Sequence, residues 1–60
     1  MGLARVTSAA DGKHEFLNPA HVRSVREISG GTQIIFSDGA ALIVKESLDV
    51  VIAAIQGARS

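Results

Sequence analysis

A chain of 60 residues has room for one domain, residues 1–60, and excludes a second, because a domain of that size already buries only about 60% of the surface its unfolded form exposes. It has no cysteine, which excludes a disulfide staple, a thiolate nucleophile and a cysteine-ligated zinc. Lys plus Arg and Asp plus Glu balance at six each, removing the broad positive field behind non-specific nucleic-acid binding, and the two aromatic residues, Phe16 and Phe36, supply little stacking surface for bases.

In chain order, residues 3–8 carry Val6 and Thr7 in a short strand-like run. "ADGKHEF" then gives an Asp-Gly turn at Asp11 and Gly12 before a second strand around residues 14–17, so the opening reads as a hairpin. Asn18 followed by Pro19 is an N-cap with proline at the first helical position, which predicts a single tight turn over 19–22. Residues 24–28 fit either a helix, with Val22, Val25 and Ser29 near one turn apart, or a strand with Val25 between outward Ser24 and Arg26. The strand is favoured, because "SGGT" at 29–32 breaks the chain at once and "TQIIFS" follows as a plain strand.

"SDG" at 37–39 is a hairpin signal between runs 32–37 and 40–45, which should pair antiparallel. Ile34 and Phe36 share one face and Ile35 the other; Leu42 and Val44 oppose Ile43. With apolar residues on both faces, this hairpin is expected to be central and covered on both sides. One cover is a helix over 48–56, with Ser47 as N-cap, Asp49 at the positive end of the dipole, and Gly57 with Arg59 at the far end. Leu48, Val51, Ile52 and Ile55 at i, i+3, i+4 and i+7 form the stripe that packs on the sheet. Val50, Ala53, Ala54 and Gly57 gather on the other side, with Asp49 and Gln56 almost the only polar residues along the helix. A small, apolar second face permits close approach by another subunit, so these four residues are the expected oligomer interface of a homo-oligomer. The fold class is α+β, a small antiparallel sheet of four or five strands followed by one C-terminal helix.

Candidate chemistry is sparse. His14 and His21 with Asp11 or Glu15 match no compact ligand spacing, so no metal is expected. The serines sit where turns and caps account for them, and so small a domain offers little cleft, so no catalytic residue and no enzyme activity are expected. "SGGT" and "DGK" lack the order of strand, phosphate loop and helix followed by Lys-Ser or Lys-Thr, so no nucleotide or other cofactor is expected. The alternative function is nucleic-acid binding through Arg23, Arg26 and Lys45, although Glu27, Asp38 and Glu46 nearby dilute their field. The chain opens without a signal-peptide pattern, and no apolar run approaches the about 20 residues a membrane span needs, so a cytoplasmic location without membrane insertion is the expectation.

The order "DGKHEFLNPAHVRSV", then "GGTQIIFSDGAALIVKES", then an apolar helix resembles the FlbD/SwrD-type small flagellar (swarming motility) protein family over nearly the whole chain. The positions that carry the resemblance are Gly12, Phe16, Asn18, Pro19, Thr32, Gly39, Val44, Glu46 and Ser47. It implies a non-enzymatic bacterial accessory protein linked to flagellar motility, and it carries over no catalytic residue; the expected function is protein-protein interaction, as a small adaptor or assembly factor with a flagellar or other protein partner. A weaker similarity joins residues 25–48 to the strand, "DG" turn, strand and "SL" helix start of LytTR-type DNA-binding domains, of which about half would be present here. That similarity is what the nucleic-acid alternative rests on.

Overall fold

In a computed structural model, residues 2–59 are described, the side chain of Arg59 excepted, so the expected role of Arg59 at the helix end lies outside the description. Five strands, a short 3-10 turn and a helix follow in order: β1 (Ala4–Thr7), β2 (His14–Leu17), the turn Pro19–His21, β3 (Val22–Ile28), β4 (Gly31–Phe36), β5 (Ala41–Val44) and α1 (Leu48–Arg59). All pairings are antiparallel, in a two-stranded sheet β1-β2 and a three-stranded sheet β3-β4-β5. The expected α+β fold forms, with the strands divided between two sheets.

The strand period explains the first hairpin. Ala4 and Val6 point inward and are buried while Arg5 between them is exposed, and the register Ala4↔Leu17 and Val6↔Glu15 follows. The Ser8 N–H donates to Lys13 O at 2.8 Å and the Gly12 N–H to Ser8 O at 2.9 Å, closing the loop that Asp11 and Gly12 predict. Asn18 caps as expected: its Oδ1 accepts from the Ala20 N–H at 3.0 Å, and Pro19 behind it is buried. Residues 24–28 are strand, because the reversal at Ser29 and Gly30 lays β4 alongside β3 and its ladder satisfies the backbone groups of Ser24, Arg26 and Ile28. A register shift between Val22 and Ser24 leaves Arg23 as a bulge.

Gly31 opens β4 where the backbone of β5 comes close, and a Cβ built on it would collide with the carbonyl oxygen of Val44. Only glycine permits that approach. At the other end of β4 the Gly39 N–H donates to Phe36 O at 3.0 Å and the Phe36 N–H to Ala40 O at 2.8 Å, forming the "SDG" hairpin. The two sheets are stitched along the outer edge of β5. The Lys45 N–H donates to Thr7 O and the Ala9 N–H to Ile43 O, each at 2.9 Å, around an isolated bridge between Ser8 and Val44.

Ala4, Val6, Leu17, Ile34, Val44, Val51 and Ile55 make the buried core, with Val22, Val25, Phe36, Leu42, Ala54 and Ala58 packed against it. Each large aliphatic side chain in it contributes about 1.5–3 kcal/mol on burial. The helix covers one face of the three-stranded sheet; on the other, Ile35 is half-buried and Ile43 is 45% exposed. The expectation of cover on both sides is therefore met on one side within the chain.

Two details of the helix differ from expectation. It runs through Gly57 to Arg59 instead of ending at Gln56. A glycine inside a helix costs about 0.5–1 kcal/mol but does not stop it, and here Ala58 beyond it packs on the core while its carbonyl accepts from the Gly2 N–H at 3.3 Å. The inward stripe is also rotated: Val51, Ala54, Ile55 and Ala58 face the core, and Ile52 is 36% exposed. Where almost every residue is apolar, neighbouring i, i+3, i+4, i+7 series are equally available to the sequence. Small Ala54 and Ala58 win the inner side because they let the helix lie close to the sheet.

Candidate interaction surface

The four residues expected at an interface do not share one environment. Val50 is 52% exposed, and Ala53 and Gly57 are also exposed, but Ala54 is half-buried against the chain's own core. What α1 offers to solvent is a small apolar patch of Val50, Ala53 and Gly57, with exposed Asp49 and Gln56 between that patch and Ile52. Beyond Ile52 an open groove of about 250 Å³ separates the helix from β3, lined among others by Val22, Arg23, Val25, Ile52, Ile55 and Gln56. Its volume falls below the roughly 300–1,000 Å³ of small-molecule sites. An open trough of mixed polar and apolar lining beside a strand has the shape of a seat for another chain segment.

A second exposed apolar spot lies on the first hairpin. Phe16 is 63% exposed and Leu3 58%. Phe16 stands opposite Arg5 in the register, which places Leu3, two residues before Arg5, diagonal to it on the same outer face.

The polar junction under this hairpin was not foreseen. Glu46 Oε1 accepts from the Thr7 N–H at 2.9 Å and Oε2 from the Thr7 hydroxyl at 2.8 Å. The fully buried Thr32 donates its hydroxyl to Glu46 O at 2.9 Å, so one residue ties β1 and the start of β4 to the entry of α1. Burial works to raise the Glu46 carboxyl. The two bonds from Thr7, one from its own backbone and the charge of His14 outweigh that and hold it below the usual carboxylate value. His14 Nδ1 lies 3.5 Å from the Thr7 hydroxyl. Glu46 and Thr32 belong to the motif positions, and the junction gives them a structural task; Thr7, 39 residues from Glu46, carries no local signal that could have found it.

Arg23, Arg26 and Lys45 are all exposed but do not converge. Arg23 borders the groove, whereas the Lys45 ammonium lies over Gly12 of the first hairpin. The strands that carry Arg26 and lead to Lys45 are the two outer members of the three-stranded sheet, about 10 Å apart. Among the described residues no cluster of three or more His, Cys, Asp or Glu is placed to hold a metal ion, and no helix is long and apolar enough to cross a membrane.

Compared with known families, residues 5–60 match the FlbD model, described as flagellar and swarming motility proteins. Neither the curated proteins nor the solved structures include a match.

Proposed function

Since the chain belongs to the FlbD family of flagellar and swarming motility proteins, we propose that it serves motility without catalysis, as a small interaction or assembly factor that acts as a homo-oligomer. The observation that carries this reading is the exposure of apolar residues on α1. In a helix of 12 residues, Val50, Ile52, Ala53 and Gly57 lie at the surface, where an isolated domain gains nothing from them. Ala54, half-buried, lies next to Val50 around the helix and packs on the core.

The test is molar mass by light scattering over a dilution series, paired with the swarming of cells that carry the altered chain as their sole copy. Ala53→Glu is the informative change, since Ala53 is exposed and a carboxylate there leaves the core intact while burying a charge in any contact. A variant with wild-type circular dichroism, monomer mass and reduced swarming is the expected result. Unchanged mass together with unchanged swarming refutes the reading.

A further inference from the structure

We infer that two copies of the chain join by antiparallel pairing of their β3 strands about Val25, merging the two three-stranded sheets into one of six. This rests on the self-association reading above and adds to the helix face a second contact, along β3.

β3 is the outside strand of its sheet and, at seven residues, its longest. Its free side can be assigned from one hydrogen bond. The Phe36 N–H donates to Ala40 O, so in β4 the backbone groups of Phe36, Ile34 and Thr32 face β5 and those of Ile35, Gln33 and Gly31 face β3. Their register partners Ser24, Arg26 and Ile28 therefore spend their N–H and C=O groups on β4. Val25 and Glu27, between them, turn theirs to the open edge. Beside that edge lies the groove whose walls include Val25 and Ile52, a backbone ladder with a partly apolar trough next to it.

The charges on the strand identify a second copy as the occupant and fix the register. In a two-fold antiparallel pair one residue faces itself and the others face their mirror positions. About Val25, Arg23 of each copy stands opposite Glu27 of the other, and Arg26 opposite Ser24. About Arg23, Arg26 or Glu27, that charged residue meets its own copy. About Ser24, Arg23 faces Val25 and Arg26 faces Val22, leaving Glu27 without its opposite charge. The Val25 register alone matches Arg23 with Glu27, twice by symmetry, and it presents the open N–H and C=O of Val25 to the same groups of the second copy. It also brings Val25 of one copy toward Val25 and Ile52 of the other. The bulge at Arg23 makes the Arg23–Glu27 pair the last of the seam, and because pairing uses the β3 edge of both copies this seam joins two copies and no more.

Exchange of the two charges tests this on the full chain. Arg23→Glu and Glu27→Arg, both at exposed positions, should each raise the dissociation constant about tenfold or more by setting like charges opposite one another, and the double exchange should restore it to within about threefold of wild type. Sedimentation equilibrium gives the constants and circular dichroism confirms the fold of each variant. Failure of the double exchange to recover association overturns the strand seam. If all three variants associate like wild type while Ala53→Glu is monomeric, the seam is again overturned and the helix-face reading stands. A wild-type chain that remains monomeric at about millimolar concentration defeats both.

Discussion

Glu46 joins distant parts of the chain, because its carboxylate closes on Thr7 while its backbone carbonyl takes the hydroxyl of buried Thr32. The native carboxyl lies below its unfolded value. Its contribution is therefore complete above the ordinary carboxylate range, about pH 4.3, and is lost as pH falls through the lowered native value. Glu46→Gln should cost about 1–2 kcal/mol at neutral pH, less than a fully buried charged pair because the site is partly open to water. Urea midpoints measured from pH 6 downward should decline less steeply in the variant than in wild type. An equal slope in both would show that other carboxylates carry the acid sensitivity. Gly31 makes a second residue-scale prediction: Gly31→Ala drives a methyl into the Val44 carbonyl and should cost about 2–3 kcal/mol by the same denaturation assay.

For the elements, what could be read from the sequence was what depends on local chemistry. The Asn18-Pro19 step, the glycine turns and the alternation of β1 and β4 each have a cause within a few residues, and each is found in place. The sequence left the phase of α1 open because Val50 to Ile55 is apolar without interruption; only contact with the sheet selects Ala54 over Ile52 for the inner side. The same contact carries the helix through Gly57, whose own propensity argues for a stop. Gly57 is exposed, and nothing outside its own helix lies within 4 Å of the point where a Cβ would stand. Gly57→Ala should therefore raise stability by about 0.5–1 kcal/mol, read as a higher urea midpoint at unchanged slope. A destabilised variant would mean that the last turn of α1 is not helical in solution. The Thr7–Glu46 junction was illegible for a different reason: its partners, 39 residues apart, meet only once the fold has laid β1 beside β5.

At the scale of the whole molecule, the Cα radius of gyration is 10.3 Å, close to the roughly 10.4 Å expected of a compact domain this long. A single copy is already collapsed around its core, so the proposed association would add to stability without creating it. For the proposed homo-oligomer the thermal midpoint should rise with protein concentration, and Ala53→Glu should flatten that rise while still unfolding cooperatively. Calorimetry over a hundredfold dilution range measures both. The bond from the Gly2 N–H to Ala58 O has a further consequence for how the chain is wired. Residues near its two ends lie side by side, so a short linker could join them and new ends could be cut at the exposed Asp38–Gly39 turn. Such a circular permutant would make β5 and α1 the first elements of the chain, and if it reached the same fold it would show that the order of the elements along the backbone is separable from their arrangement in space.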